Sequence, residues 1–218
     1  PNQSAYIKSH STETTLLSVH DHIIEALSLQ RVTCLTLLVF SAAFDTIDHS
    51  ILLERLSSWF GITSTALSWI KSYLSHRSFY VNIDGSKSST YQLLYGVPQG
   101  SVLGPLLFIL YTTPLSTVIS NSSALHQLYA DDTQLFISFS AADFAYKITH
   151  LEQTISNVSD WMSSNFLSIN PSKTEFIVIG LPQQLKKIVS PLIHLPNGVN
   201  LSPVSSARNL GIIFDNNL

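Results

Sequence analysis

Tyr129-Ala130-Asp131-Asp132, set between the apolar runs Leu125 to Tyr129 and Gln134 to Phe139, is the stretch from which the fold of this chain is read. In the second run Leu135, Ile137 and Phe139 alternate with their neighbours, the period of a β-strand. A short polar step between two such runs predicts a tight hairpin. Two adjacent carboxylates at its tip repel each other unless a positive charge lies beside them. A divalent cation is the usual remedy, and hard oxygen ligands favour Mg²⁺ or Mn²⁺. Asp is also an ordinary turn residue. The pair therefore gains chemical meaning only if other segments supply a third carboxylate and a nucleotide pocket.

Outward from this turn, Val32 to Phe40 is a β-branched and aliphatic run of strand length, expected to be buried on both faces. Ser11-Thr12-Glu13-Thr14 precedes Leu16, Leu17, Val19, Ile23, Ile24 and Leu27, which reads as an amphipathic helix capped by Ser11 or Thr14. Ser50 to Phe60 and Thr65 to Tyr73 read as helices closed by Gly61 and Ser75. Phe79 to Ile83, Asp84-Gly85 and Tyr91 to Tyr95 read as a hairpin with a long tip. Gly96-Val97-Pro98-Gln99-Gly100-Ser101 is a loop, after which Gly104-Pro105 opens a helix with Pro at its first position. Phe144, Ile148, Leu151, Ile155, Val158 and Met162 mark one long helix. Phe176 to Ile179 and Leu210 to Phe214 read as short strands. Helices interleaved with a small, mostly antiparallel sheet make an α+β fold.

The chain has 218 residues, 45% hydrophobic and 11% charged, against a usual charged share of about 25%. Such a chain buries a sizeable core and leaves part of its exterior suited to meeting another segment. The only Met is Met162, so a fragment or processed product is expected. A net charge of −3 argues against an autonomous nucleic-acid binder, which shows a basic stripe. Cys34, the single cysteine, excludes an internal disulfide and reads as an inert core thiol. The apolar stretch Val102 to Tyr111, interrupted by Gly104-Pro105, is too short to span a bilayer, and no signal peptide is visible. None of the eight His shows zinc-site spacing, so they read as surface or capping residues.

Three pieces carry chemistry together: Ser41-Ala42-Ala43-Phe44-Asp45 at the end of a strand, the Gly96–Gly100 loop, and the Asp131-Asp132 hairpin. Nucleotidyl transfer by two metals needs carboxylates from neighbouring strands that hold two cations about 3.5–4 Å apart. It also needs an aromatic under the sugar and a glycine-rich loop that lets a base approach the backbone.

With these residues assembled, the chain resembles the reverse transcriptases of non-LTR (LINE-like) retrotransposons. Tyr129-Ala130-Asp131-Asp132 resembles their metal-binding turn, and Gly96-Val97-Pro98-Gln99-Gly100-Ser101-Val102-Leu103-Gly104-Pro105-Leu106-Leu107-Phe108 their template and nucleotide loop. Ser41-Ala42-Ala43-Phe44-Asp45-Thr46-Ile47-Asp48-His49 resembles the tail of their first catalytic strand. Asn165 to Thr174, with Asn170 and Lys173, resembles the motif that follows, and Leu210-Gly211-Ile212 the hairpin beyond it. The resemblance covers essentially the whole chain. It implies a polymerase palm at about 31–218, a small antiparallel sheet packed on helices, with partial fingers at about 1–30 and no thumb. It further implies RNA-directed DNA synthesis with Mg²⁺ or Mn²⁺ on an RNA template, a DNA primer and deoxynucleotides. Asp131 and Asp132 would hold metal, Phe44 would sense the sugar 2′ position, and Gln99 and Gly100 would position template and nucleotide. Lys173 would protonate the pyrophosphate leaving group.

One departure matters most. The family places an Asp that bridges both metals six residues before the aspartate of Ala-Phe-Asp, and here that position is Val39. Six extended residues span about 20 Å, too far for Asp45 or Asp48 to stand in, and losing a metal ligand removes Lewis-acid and nucleophile-activating roles together. The family's basic finger segment and thumb are not among these residues, and Ile7 stands where many relatives carry Arg. The chain is therefore expected to be a catalytically defective reverse transcriptase palm, lacking fingers, thumb and any upstream endonuclease of its parent. Two rivals remain: a domesticated palm that binds RNA or protein without catalysis, and an untranslated genomic relic. No membrane is expected, and an intracellular workplace, nuclear or cytoplasmic, follows from the resemblance alone.

Overall fold

Val32–Val39 (β1) forms the middle of the main sheet because β-branched and aliphatic side chains fill both of its faces, and only its last residue is less than fully buried. The computed structural model describes residues 2–216. Beyond β1 the chain forms α1 (Thr12–Ser28), α2 (His49–Ser58), α3 (Ser64–Leu74), α4 (Leu103–Ser120), β2 (Leu125–Tyr129), β3 (Asp132–Phe139), α5 (Phe144–Ser163), β4 (Glu175–Ile179), β5 (Ser206–Asn209) and β6 (Ile212–Asp215). Four strands make one antiparallel sheet in the order β2-β3-β1-β4. The α+β reading of the sequence holds.

The chain divides into two compact units. The first takes the described residues up to Ser41, then Thr113–Ser164, then Ser168 onward; the second takes Ala42–Thr112 and Asn165–Leu167. In the first unit α1 starts at Ser11, whose side chain accepts from the Thr14 N–H while the Thr14 hydroxyl accepts from the Ser11 N–H. Its buried stripe of Leu16, Val19 and Ile23 packs with Leu35, Leu37, Phe136 and Ile177 of the sheet. Each such enclosed aliphatic contributes about 1.5–3 kcal/mol. The thiol of Cys34 is completely buried, which pushes its pKa far up.

In the second unit Arg55 lies over the Tyr111 ring, 4.7 Å from its centre, and donates to the Tyr111 carbonyl and to Asn165 Oδ1. The Tyr111 hydroxyl donates to the Asn165 carbonyl at 2.7 Å. These bonds satisfy a guanidinium whose burial lowers its pKa.

Several local expectations are corrected. The strand carrying the first motif stops at Val39, so Ser41 to Asp45 forms a turn with Ala42 in the left-handed region at φ 47°. Pro105 is the third residue of α4, still inside the first turn where backbone N–H groups have no helical acceptor. α4 continues through Pro114 to Ser120, giving 18 residues long and apolar enough by length and composition to cross a membrane. That exceeds the ten-residue stretch read from the sequence, because neither Gly104-Pro105 nor Pro114 ends the helix. Phe108, Tyr111, Leu115 and Ile119 are fully enclosed, as in a core helix.

The hairpin at residues 78–92 is two short ladders, Ser78–Phe79 with Tyr91–Gln92 and Asn82–Ile83 with Ser86–Lys87, turning at Asp84-Gly85. Leu210-Gly211 is the turn between β5 and β6, so the strand begins only at Ile212. His126 is buried at 4% exposure, neither surface nor cap. It alternates with Leu128 on the inward side of β2, and Asn2 and Ser116 hydrogen-bond its ring.

Candidate active site

The Asp-Asp turn is built by pairing on both sides. Tyr129 and Asp132 close the β2–β3 hairpin as ladder partners. Ala130 carries the positive φ, 53°, at the first central position, as the turns matching strand twist require. The carboxamide oxygen of Gln3 accepts from the Ala130 N–H at 3.2 Å and from the Ala5 N–H at 2.9 Å. Gln3 thus fixes the turn from a point 127 positions away in sequence. No sequence pattern signals that contact, since it depends on the segment around Gln3 lying beside Leu128 on the edge of β2.

Across β3 from the turn, Asp132 is the direct register partner of Val39. Directly opposed residues on antiparallel strands project to the same face with Cβ atoms about 4.5–5.5 Å apart. The end of β1 is held on its other side by Asn170 N–H donating to the Val39 carbonyl at 2.8 Å and by Ser41 N–H donating to the Ser168 carbonyl at 2.9 Å. Asn170 caps the turn Pro171–Lys173 by accepting from the Ser172 N–H, and this turn brings Lys173 to the same recess as Asp132. Val39, Asp132, Lys173, Glu175 and Arg208 all line that recess, whose volume is about 60 Å³. Glu175 and Arg208 were not anticipated. They arrive through the pairing of Glu175 with Leu37 and the fold-back of the β5–β6 hairpin.

Burial first, and the Asp131 charge second, push the Asp132 carboxyl up to about 6, while Lys173 pulls it down. A half-buried carboxylate beside a second acid resists ionisation.

A two-metal site needs oxygen donors from two neighbouring strands. Asp131 and Asp132 supply oxygens, but Val39 supplies none where a neighbouring strand would have to contribute. Among the described residues no three His, Cys, Asp or Glu side chains converge to hold a metal ion. The alternative carboxylates are engaged elsewhere. Asp48 caps α2 by accepting from Ser50 and Ile51 N–H groups at 2.8 and 2.9 Å, and Asp45 accepts from Gln99 Nε2 at 2.8 Å. The residues present do not fit a two-metal arrangement.

The second unit holds the remaining residues singled out from the sequence. Phe44 stacks on Phe108, ring centres 4.6 Å apart and planes 20° apart. The Gly96 loop is tied to the turn carrying Phe44: Val97 N–H donates to the Phe44 carbonyl at 2.9 Å, Gly96 N–H to the Ile47 carbonyl at 2.8 Å, and His49 Nε2 lies 2.7 Å from the Gly96 carbonyl. Gly96 has φ +83°, and a Cβ there would stand 2.9 Å from both the Phe44 and Asp45 carbonyl oxygens. Only glycine permits so close an approach. Gln99 and Gly100 sit exposed at the loop's tip, Gly100 with φ +75°. Phe44, Gln99 and Gly100 therefore belong to one local constellation, and Asp131, Asp132, Val39 and Lys173 to another.

The model of the family described as reverse transcriptase (RNA-dependent DNA polymerase) matches residues 1–214. Among curated relatives, the probable RNA-directed DNA polymerase from transposon BS of Drosophila melanogaster is 30% identical over all of this chain and 24% of its own length. The RNA-directed DNA polymerase from mobile element jockey of Drosophila funebris is 28% identical over 99% of this chain and 23% of its own. The chain thus spans about a quarter of the length of these relatives. Among solved structures, apo telomerase from Candida tropicalis, truncated from its C-terminal domain, superposes with a TM-score of 0.64 at 14% identity, over 98% of this chain and 39% of the other. Telomerase from Candida albicans in complex with a TWJ fragment of telomeric RNA gives 0.61 at 15% identity, over 96% and 36%. At that identity the likeness speaks for the fold alone.

Proposed function

Because the chain belongs to the reverse transcriptase (RNA-dependent DNA polymerase) family, we propose that it is the palm of an RNA-directed DNA polymerase that has lost templated synthesis at its metal site. Its fold is a partial reverse transcriptase palm, and the domain is of the kind found in non-LTR retrotransposon polymerases. The family works with divalent metals, Mg²⁺ or Mn²⁺, on an RNA template with a DNA primer and deoxynucleotides. For this chain those partners, and an intracellular setting in nucleus or cytoplasm, are part of the proposal. Phe44, Gln99 and Gly100 would meet the nucleotide and template, and Lys173 the leaving group.

The observation that carries the loss is Val39, register partner of Asp132, where a bridging carboxylate belongs. The test has two arms. Val39→Asp in this chain should confer Mg²⁺-dependent thermal stabilisation that the native chain lacks, about 2.7 kcal/mol when Mg²⁺ stands at a hundred times its Kd. The same substitution in a polymerase of the relatives' length should restore RNA-templated primer extension by several powers of ten. Equal extension by the Val39 and Asp versions, or saturable Mg²⁺ stabilisation of the native chain, would overturn the proposal. The rival of a palm that binds RNA without catalysis is favoured if RNA is retained equally with Mg²⁺ and with chelator while synthesis stays absent.

A further inference from the structure

Charge is sorted between the two edges of the main sheet. In the second unit Asp45, Asp48, Glu54 and Asp84 balance Arg55, Lys71, Arg77 and Lys87, so the net −3 falls on the first. There α1 carries Glu13, Asp21 and Glu25 with no Lys or Arg, and residues 113–130 hold no Asp, Glu, Lys or Arg. Beside the edge strand β2 these segments enclose a groove of about 770 Å³, lined by apolar Leu17, Ala124, Leu125 and Phe136 and by the carboxylates of Asp21 and Glu25. Both acids are exposed. Among the described residues no Lys or Arg stands in ion-pair range of either, and the His20 ring lies 3.9 Å from Asp21. His22 also lines the groove, and burial lowers its pKa.

Past the opposite edge strand, β4, the sign reverses. Residues 176–207 hold Lys186 and Lys187 and no acid. A single helical turn, Pro182–Leu185, leads into the two lysines, and Val189 follows at 83% exposure. Leu185 ties this knuckle to the end of β4: its side chain lies 3.2 Å from where a Cβ on Gly180 would stand. Lys187 Nζ donates to Gln184 Oε1 at 3.0 Å, and among the described residues neither lysine has a carboxylate partner. Asp215 is the acid at its foot, one residue from the Asn216 carbonyl that accepts from the Gly180 N–H at 3.5 Å. One edge thus offers an acidic, apolar-lined groove and the other a basic knuckle with an exposed valine. The sheet order β2-β3-β1-β4 sets the two edges three strand spacings apart, about 14 Å. A knuckle therefore cannot turn into the groove of its own copy.

We propose that the groove between α1 and β2 receives the Lys186-Lys187 knuckle of a second copy of this chain. The contact joins unlike surfaces, so it is head-to-tail and repeats from copy to copy instead of closing as a two-fold dimer. It is small, and association is expected to be weak and transient. Sedimentation equilibrium of the whole chain tests it from about 10 to about 300 µM, the range suited to so small a contact. Weight-average mass should rise without a plateau at the dimer. Raising salt from about 0.1 to about 1 M shortens the screening length from about 10 to about 3 Å and should weaken association. The four charged positions are exposed, and circular dichroism checks that their variants fold. Asp21→Lys with Glu25→Lys, and separately Lys186→Glu with Lys187→Glu, should each lower the association constant about tenfold or more, because like charges then meet. An equimolar mixture of the two variants should associate again, since each groove finds an opposite knuckle. A native chain that stays monomeric, a plateau at the dimer, indifference to either charge reversal, or a mixture that fails to associate would overturn the proposal. So would a monomer that binds labelled oligolysine and loses it in Asp21→Lys with Glu25→Lys, which would give the groove to a different basic partner. Neither metal nor nucleic acid enters the experiment, so its failure is distinct from failure of the polymerase reading.

Discussion

Replacing Asp132 by Asn should stabilise the fold at neutral pH. The carboxyl is pushed from its ordinary 3.8 up to about 6 by burial and by Asp131. Each tenfold change in proton affinity corresponds to about 1.36 kcal/mol, so the charged form carries a cost of about 3 kcal/mol before screening. The group is only partly buried, and solvent screening reduces the expected effect to about 1–2 kcal/mol. The sign follows from proton binding. Between 3.8 and about 6 the folded state holds more protons than the unfolded, so stability falls as pH rises through that window and levels off above it. Asn keeps the shape, carries no charge and should abolish the loss. Urea unfolding of both proteins at pH 8 and pH 4 measures it: a gain of about 1–2 kcal/mol at the higher pH, shrinking below about 0.5 kcal/mol at the lower. A destabilised variant at pH 8, or a gain equal at both pH values, would refute the reasoning. It would mean that the carboxylate is satisfied in the fold by a partner other than a cation.

Gly96→Ala forces a Cβ to 2.9 Å from two carbonyl oxygens at φ +83°; loss of about 2 kcal/mol or more in chemical denaturation is expected. Asn165→Leu removes one acceptor of the Arg55 guanidinium and should cost about 1–3 kcal/mol by the same measurement. Cys34 should resist thiol labelling in the folded chain and react fully in denaturant, because burial pushes its pKa far up and the thiolate is the reactive form.

The sheet was legible because its strands announce themselves. Val32 to Val39 is apolar on both parities, and the polar step Ala130-Asp131 between two strand-like runs admits little but a hairpin. Where the sequence misled, a residue type was weighed without its parity or its distant partners. His126 reads by type as a surface or capping group, yet it shares with Leu128 the inward parity of β2. The apolar alternation of Phe79, Val81 and Ile83 has the period of a half-buried strand, yet all three side chains are exposed. Whether an alternating run is buried depends on what the rest of the fold brings over it. Gly104-Pro105 reads as an interruption of the apolar stretch, and α4 runs from Leu103 through Pro114 to Ser120. Of the candidate site, Asp131 and Asp132 were readable from two strand-like runs and one tight turn, and Val39 from its place six residues before Asp45 in the motif that the family resemblance supplies. Gln3, Glu175 and Arg208 were not, because each reaches the site through long-range pairing that leaves no local trace.

The pairing of Val39 with Asp132 has a consequence in heredity. The ladder that aligns them is made of backbone groups, and valine is a better strand former than the aspartate that the proposed reading sets there. The scaffold has therefore no need of the carboxylate in order to form, and its absence leaves the alignment of the two strands intact. Every valine codon becomes that of an acidic residue, aspartate or glutamate, by exchange of its second base alone. Under the proposed loss of synthesis such a palm is inherited as a well-folded silent copy, and a single transversion sets an acidic side chain opposite Asp132.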